Sequence, residues 1–296
     1  MTDAPNSPHV LCDLQAAPNV AKITLNRPEM RNAQGFQMLH ELNDAFTRAS
    51  LDDNVHVIIL AGAGEHFSSG HDLSFADGAA RKKYPPVGTW GQFDAPGQEG
   101  PYGREKEFYL EMTERWRNLP KPTIAQVQGK VIAAGNMLVW ACDLVVASDD
   151  AQFLDNTPDM GIPGVEFFNH AYELGVRKAK EWLFTVDWLS AAEGHRLGMI
   201  NHVVPRSELE TFTLALAKRI AERPVFALKL VKEALNNAED LQGRRQNHQF
   251  AFALHHMAHS HYQQLFDFPI AVDRLAPKMR DHLLSLIEKK RQAAGK

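Results

Sequence analysis

Two short segments rich in small residues could bring backbone amides to a point where a substrate oxygen binds. Residues 67–73 read Phe-Ser-Ser-Gly-His-Asp-Leu, and residues 133–135 read Ala-Ala-Gly. Each segment follows a predicted strand, and the second lies at the start of a predicted helix. The backbone N–H groups of this second segment therefore point away from the helix, at its positive end. Because two such turns can share one oxygen, the segments predict a site that stabilises a negatively charged oxygen.

Histidines are concentrated near the C-terminus, where His255, His256, His259 and His261 occur in one stretch. His255 and His259 are one helical turn apart, which is a spacing that metal ligands can use. The stretch contains no acidic residue that would complete an HExxH pattern. We therefore expect a solvated helix or a subunit interface here, and no metal site.

The elements that must position these residues follow from the hydrophobic periodicity. Alternating or continuous apolar runs predict strands, and apolar residues at helical spacing predict helices. The predicted strands are residues 10–15, 20–25, 55–61, 123–127 and 144–147, and the predicted helices of the first half are 36–51, 105–119 and 133–141. After Gly175 the pattern is nearly all helical, with helices at 178–184, 208–222, 225–236, 249–266 and 279–291. This order predicts an α/β core followed by a helical C-terminal third.

Composition excludes several classes of protein. The chain has 296 residues, and its 32 basic residues against 36 acidic ones leave a net charge of −4, so we expect neither a nucleic acid nor an anionic membrane as partner. Only Cys12 and Cys142 occur, far apart, which argues against a zinc cage and for a reducing compartment. The N-terminus lacks the pattern of a signal peptide and no stretch approaches a membrane span, so we expect a cytoplasmic protein.

Several short motifs, in their order and spacing, resemble the enoyl-CoA hydratase/isomerase (crotonase) family over residues 20–224. They are the two small-residue segments, Leu25-Asn26-Arg27-Pro28, Asn32-Ala33, Cys142-Asp143, Ala151-Gln152-Phe153, Gly161-Ile162-Pro163-Gly164 and residues 191–204. The resemblance implies a crotonase-like α/β spiral of ββα units over residues 1–204 and a helical trimerisation region over residues 205–296. It also implies a homotrimer or a dimer of trimers that binds an acyl-CoA thioester, with coenzyme A as part of the substrate and no other cofactor.

By motif position, the resemblance implies an oxyanion hole at the backbone N–H groups of His71 and Ala134. These two donors would polarise the thioester carbonyl and stabilise an enolate-like oxygen, a contribution of about 3 kcal/mol for each donor in such holes. His71, Asp72, Leu73 and Ser74 would lie along coenzyme A and, with Ala134, form the substrate-binding strip.

The chain departs from the family pattern at two positions. In hydratases a glutamate lies two residues after the glycine of the second turn, where this chain has Met137, and another lies four residues before Gly161, where this chain has Thr157. A thioether and a hydroxyl of ordinary pKa cannot act as strong acid–base groups. Hydration by the two-glutamate route is therefore disfavoured, and the exact reaction stays open.

Three acidic residues lie close enough in sequence to replace the missing pair. Asp155 resembles the aspartate of the family's carbon–carbon bond hydrolases, and burial among apolar neighbours would raise its pKa toward neutrality. Asp159 and Glu166 lie on either side of the next glycine turn and are further candidates. The imidazole of His71 could also exchange protons near neutral pH. The catalytic residues expected from the sequence are His71, Ala134 and Asp155.

These residues leave three functions open. The first is an enzyme of hydratase/isomerase type in lipid metabolism, a lyase or an isomerase, that acts on an acyl-CoA. The second is a carrier that binds acyl-CoA without catalysis, because the usual carboxylates are missing. The third is a hydrolase of a cyclic diketone that uses Asp155 and no coenzyme A.

A long insertion at about residues 74–104 interrupts the family pattern. It is dense in glycine and proline and shows little periodicity, which is typical of a functional loop. We expect residues 82–103 to form a lid whose aromatic side chains, Tyr84, Trp90, Phe93 and Tyr102, set the shape of the substrate pocket.

Overall fold

The computed structural model describes residues 8–73, 86–91, 93–273, 275 and 277–293. Its strands in chain order are β1 (Val10–Ala17), β2 (Val20–Leu25), β3 (Val57–Gly62), β4 (Thr123–Val127), β5 (Lys130–Ile132), β6 (Leu144–Ser148), β7 (Gln152–Leu154), β8 (Leu189–Ser190) and β9 (His202–Val204). Six strands form the main sheet in the order β1-β2-β3-β4-β6-β9. β1 and β2 form an antiparallel hairpin, and the remaining neighbours are parallel.

The helices in the described part of the chain surround this sheet. They are α1 (Phe36–Leu51), α2 (Glu99–Glu105), α3 (Met112–Arg117), α4 (Ala134–Trp140), α5 (His170–Leu174), α6 (Val176–Thr185), α7 (Ala191–Leu197), α8 (Leu209–Ala221), α9 (Val225–Leu241), α10 (Arg244–Phe266) and α11 (Pro277–Ala293). A single π-helical turn, Lys106–Glu111, joins α2 to α3. The molecule is therefore an α/β protein with a C-terminal helical region, as the sequence predicts.

The central strands are apolar on both faces because helices cover both faces of the sheet. β3 reads Val-Ile-Ile-Leu-Ala-Gly, and its first five residues are buried. α1 packs with the cluster that contains Ile23 and Leu60, whereas α8 packs with the cluster that contains Val57 and Ile59. A strand buried on both sides needs apolar residues at successive positions, which explains the continuous hydrophobic run.

The parallel arrangement brings the ends of β3 and β4 to one edge of the sheet. Beyond that edge the chain forms a second, small sheet with the order β5-β7-β8. Ser68, which follows β3, pairs with Val131 of β5, and the amide of Ala133 donates to the carbonyl of Leu154 at 2.8 Å. The two small-residue segments are thus held side by side.

Two differences from the predicted elements have clear causes. The helix predicted to start at residue 105 starts at Glu99, and its first turns contain Gly100 and Gly103, which are poor helix formers. A Cβ on Gly100 would lie 2.6 Å from the carbonyl oxygen of Ala95, so close packing requires glycine there. The region after Gly175 also contains β8 and β9, which are too short to show a period but gain backbone hydrogen bonds from their neighbours.

The C-terminal helices leave a broad set of apolar side chains uncovered in the single chain. On α9, Phe226, Leu230 and Leu235 are 69%, 49% and 66% exposed, and on α10 Phe250 and Met257 are 65% and 64% exposed. A surface with this much exposed apolar area is typical of a protein–protein contact.

Candidate active site

The two small-residue segments approach each other at Gly70. A Cβ on this residue would lie 2.7 Å from the carbonyl oxygen of Ile132 and 3.1 Å from the amide nitrogen of Ala134. The φ angle of Gly70 is +85°, which is the left-handed region that favours glycine. Only glycine therefore lets the segment before His71 lie against the start of α4.

Gln34 holds both small-residue segments in place by hydrogen bonds. This residue was not identified from the sequence. Its backbone amide donates to the carbonyl of Gly70 at 2.8 Å, and its side-chain amide donates to the carbonyl of Ala134 at 3.0 Å and to the hydroxyl of Ser68 at 3.1 Å. The side chain is buried, so these bonds are protected from water. A lone glutamine gives no sequence signal, because its partners come from distant parts of the chain.

The backbone amides of His71 and Ala134 are the two donors that the family resemblance assigns to an oxyanion hole. Among the described residues, neither N–H has a backbone or side-chain acceptor. Ala133, just before α4, has φ 46° and ψ −119°, a conformation that a residue with a Cβ adopts only at a cost. Such strain is concentrated at binding and catalytic sites, where it pre-organises the donors.

The side chain of His71 is fixed by two neighbours. Its Nε2 lies 3.2 Å from Oε2 of Glu166, and its ring stacks on Tyr109 with the centroids 3.7 Å apart. Its Nδ1 is buried and has no hydrogen-bond partner in the described part of the structure. Tyr109 belongs to the π-helical turn, a feature that is frequent at functional sites. The imidazole is thus oriented by a carboxylate and presents one unpaired nitrogen.

Glu166 is buried and lies between His71 and His255 of α10. One carboxylate oxygen faces His71, and the other lies 3.6 Å from Nε2 of His255. Burial raises the pKa of Glu166, but electrostatic interaction with the imidazole of His71, the hydrogen bond with His71 and the interaction with His255 outweigh burial and lower the pKa overall. The carboxylate is therefore held in its ionised form. Glu166 was one of three open candidates in the sequence.

Asp155 has a different environment from the one expected. Its carboxylate accepts from the amide and hydroxyl of Thr157 at 3.0 and 2.6 Å, from the amide of Val165 at 3.3 Å and from Nε2 of His170 at 2.7 Å. Burial raises its pKa, but His170 and Thr157 lower it overall. The prediction of a pKa raised toward neutrality was wrong, because it counted burial and not these donors. The fully buried carboxylate holds the loop that carries Glu166.

The other residues predicted from the sequence are placed as follows. Asp159 is exposed at the short turn Thr157–Met160, whereas Met137 is buried in α4. The hydroxyl of Thr157 is engaged with Asp155, as given above. Asp72 and Leu73 are half-buried, and the carboxylate of Asp72 accepts from Arg27 at 3.0 Å. Ser74 lies outside the described residues.

The helix α10, called the histidine helix, turns three of these four histidines inwards, contrary to the expectation of a solvated helix, whereas His261 is exposed. The expectation of a subunit interface stays a prediction. His255, His256 and His259 are buried, and their Nε2 atoms surround Oε2 of Glu105 at 3.7, 3.2 and 3.4 Å. Burial raises the pKa of Glu105, but the neighbouring imidazoles lower it well below its usual value. These four residues are called the histidine cluster below. The acidic partner was missed because it is about 150 residues away in the sequence.

Part of the predicted lid is described, and it lies against this cluster. The ring of Tyr102 is 5.1 Å from that of Phe252 and 4.8 Å from that of His256. Phe93 packs on Phe108 at 5.1 Å, and Trp90 is 49% exposed beside Tyr102. Tyr84 lies outside the described residues. The aromatic side chains thus pack over the elements that carry the cluster, and their effect on a substrate stays a prediction.

Comparison with known proteins decides the family. The sequence model of the family Enoyl-CoA hydratase/isomerase matches residues 15–268. The chain belongs to the enoyl-CoA hydratase/isomerase family. A Mycobacterium tuberculosis relative, EchA13, whose name suggests an enoyl-CoA hydratase, is 44% identical over 256 residues, which are 83% of this chain and 79% of the relative.

Solved structures of this family have the same fold. A probable enoyl-CoA hydratase from Mycobacterium smegmatis is 44% identical, with a TM-score of 0.79 over 89% of this chain and 99% of that chain. A monofunctional enoyl-CoA isomerase from M. smegmatis is 27% identical, with a TM-score of 0.63 over 81% of this chain and 99% of that one. No helix in the described part is both long and apolar enough to cross a membrane.

Proposed function

We propose that this family member binds an acyl-CoA with its thioester carbonyl between the amides of His71 and Ala134, and moves a proton with the imidazole of His71. The observation that carries the proposal is the pair formed by His71 and Glu166. The carboxylate lies 3.2 Å from Nε2, so the proton of a neutral ring is on Nε2 and the lone pair is on the unpaired Nδ1. This is the arrangement of a base oriented by a carboxylate.

The reaction that one such base supports best is a shift of a double bond within an enoyl-CoA. His71 removes a proton from C2 of a 3-enoyl-CoA, the carbon next to the thioester carbonyl, and the negative charge moves to the carbonyl oxygen between the two amides. The same proton returns at another carbon, so the double bond moves and no water or other reactant is consumed. Hydration needs water to be activated and a proton to be delivered, and neither Met137 nor Thr157 can do this.

Asp155 supports this function indirectly in our proposal. It bonds the amide of Val165, which precedes Glu166, and thereby fixes the carboxylate that orients His71. With four donors around it and a lowered pKa, it is poorly suited to attack or deprotonate a diketone. We therefore propose an acyl-CoA enzyme in preference to a hydrolase of a cyclic diketone.

The test compares two variants that keep the backbone unchanged. His71→Gln retains the amide of the oxyanion hole but removes the base, so the turnover of a 3-enoyl-CoA should fall at least about 100-fold while acyl-CoA affinity stays within about threefold. Glu166→Gln should lower kcat with little effect on KM. Asp159→Asn, an exposed carboxylate of the same region, is the matched control and should keep full activity.

Three results would count against the proposal. Full turnover by His71→Gln would exclude the imidazole as the base. Water addition by the parent at a rate equal to or above isomerisation would favour a hydratase. Tight binding of several enoyl-CoAs without any turnover would favour the carrier.

The remaining properties of the assembly are part of the same proposal. The exposed apolar side chains of α9 and α10 support a homotrimer or a dimer of trimers, in which these faces meet. We propose that the enzyme works in the cytoplasm, in lipid metabolism, and that coenzyme A enters only as part of the substrate.

A further inference from the structure

The histidine cluster joins parts of the chain that are distant in sequence. Glu105 ends α2, and His255 and His259 are one turn apart on α10. The two imidazoles are buried, with side chains 5% and 11% exposed, and the side chain of Glu105 is 13% exposed. One potential ligand atom from each of the three residues lies within 4.8 Å of the other two.

The outer nitrogens of both imidazoles are fixed by backbone carbonyls. Nδ1 of His255 is 2.9 Å from the carbonyl oxygen of Gly164, and Nδ1 of His259 is 2.6 Å from that of Pro269. A carbonyl oxygen can only accept, so in each ring the proton is on Nδ1. In the neutral imidazole, Nε2 then carries a lone pair directed at Glu105.

The centre of the cluster therefore contains acceptors that face one another. Two imidazole lone pairs and a carboxylate cannot donate hydrogen bonds to each other. Within the described residues, Oε2 of Glu105 and Nε2 of His255 have no hydrogen-bond partner, although His255 is only 4% exposed. Buried acceptors without donors are costly, and a cation between these three groups would pair them. His256, whose Nε2 is 3.2 Å from the same oxygen of Glu105 and whose Nδ1 has no partner among the described residues, can donate one N–H to the carboxylate but none to the Nε2 lone pairs of His255 and His259.

We propose that Glu105, His255 and His259 bind a divalent transition-metal ion of the Zn²⁺ class. Bonds of about 2.0–2.1 Å in a tetrahedral site give ligand-to-ligand distances of about 3.4 Å. The distances from Glu105 Oε2 to the two Nε2 atoms are 3.4 and 3.7 Å, so small side-chain movements would close the site. The carbonyls of Gly164 and Pro269 supply the outer-shell bonds that metal-binding histidines use.

The donor set also indicates which ions the site takes. Two imidazole nitrogens and one carboxylate oxygen suit Zn²⁺, Co²⁺ or Fe²⁺, whereas Mg²⁺ and Ca²⁺ prefer oxygen ligands alone. Three protein ligands leave a fourth position open, and a further carboxylate oxygen, Oε1 of Glu166, lies 3.6 Å from Nε2 of His255. Water or this carboxylate would complete the coordination.

The alternative cation is the proton. If the imidazoles are protonated, their Nε2–H groups donate to Glu105 and no metal is needed. The two alternatives differ in a measurable way, because only a metal site takes up one Zn²⁺ for each chain and gives the visible spectrum of tetrahedral Co²⁺. The metal site does not depend on the proposed reaction, since its three required ligands, Glu105, His255 and His259, have no role in that reaction and water can take the place of Glu166.

The experiment uses the full chain without a histidine tag, stripped of metal and then titrated with Zn²⁺ and with Co²⁺. We expect one ion for each chain, a rise in Tm with Zn²⁺ and not with Mg²⁺, and the intense visible absorption of tetrahedral Co²⁺. Glu105→Gln keeps the shape of the side chain and removes its charge, and it should weaken Zn²⁺ binding at least about 100-fold. His259→Asn should do the same.

His261→Asn is the matched control, because this exposed histidine lies on the same helix outside the cluster. It should bind Zn²⁺ like the parent. The proposal is overturned if the stripped parent takes up no stoichiometric Zn²⁺ and gives no tetrahedral Co²⁺ spectrum, or if Glu105→Gln binds Zn²⁺ as tightly as the parent. Binding is measured without acyl-CoA, so an inactive protein that still binds the metal refutes only the proposed reaction.

Discussion

Asp155→Asn tests whether this buried carboxylate acts in positioning or in chemistry. The aspartate accepts four hydrogen bonds, and its oxygen Oδ2 is 2.7 Å from Nε2 of His170, whose side chain is completely buried. Asparagine has the same shape but offers one oxygen and an NH₂ group. The NH₂ group must face either the donors of Thr157 or those of Val165 and His170, so at least one buried donor loses its acceptor.

The magnitude follows from these contacts. A hydrogen bond to a charged group contributes about 1.5–3 kcal/mol, and a buried donor left unpaired costs a further 1–3 kcal/mol. We therefore expect the free energy of unfolding to fall by about 3–4 kcal/mol, near the range for a broken buried ion pair. For a chain of this size the Tm should fall by about 6–16 °C. Because Asp155 does not contact the reacting atoms in our proposal, kcat should fall less than about tenfold.

The assay is urea unfolding and turnover of the same preparations at equal protein concentration, with Asp159→Asn as the control. The lowered pKa of Asp155 means that its stabilisation is present above the ordinary aspartate pKa of about 3.9 and is lost as the pH falls through the lower folded value. The difference between parent and variant should therefore shrink below about pH 4. A variant with unchanged stability and a 100-fold lower kcat would refute this reasoning and restore Asp155 as a catalytic group.

Four further perturbations test other parts of the structure. Glu114→Gln should lower the free energy of unfolding by about 3 kcal/mol at neutral pH, as measured by urea unfolding. Burial raises the pKa of Glu114, but contacts with His248 and Arg244 outweigh burial and lower the pKa from 4.5 to about 2. The loss should therefore vanish as the pH falls from 4.5 to about 2. Gly70→Ala should reduce kcat at least about 100-fold, because the new Cβ displaces the proposed oxyanion donors, and normal turnover would contradict their assignment. Tyr102→Ala should change the order in which acyl-CoAs of different chain length are turned over, without changing the affinity for coenzyme A. An unchanged order would show that this ring does not line the substrate pocket. Leu235→Asp should shift the sedimentation of the protein toward the monomer, and an unchanged assembly would show that this face of α9 is not an interface.

Many of the strands and helices can be predicted from the sequence because the hydrophobic patterns that predict them are local. The alternating and continuous apolar runs predict β2 and β4 at their observed bounds, and α1 at its observed start. The glycines of the two small-residue segments indicate turns after parallel strands, and such strands end at a common edge. The family resemblance rests on the same local motifs, and the match over residues 15–268 confirms it.

The polar interactions of the site depend on tertiary structure because their partners are far apart in the chain. Glu166 meets His71 across 95 residues, and the carboxylate that faces His255 and His259 comes from the end of α2. A sequence window contains one member of each pair, so it could not distinguish a buried histidine from a solvated one. The pKa of Asp155 is the clearest example. Burial can be guessed from apolar neighbours, but the direction of the shift is set by hydrogen bonds from His170 and Thr157, which form only when the chain is folded.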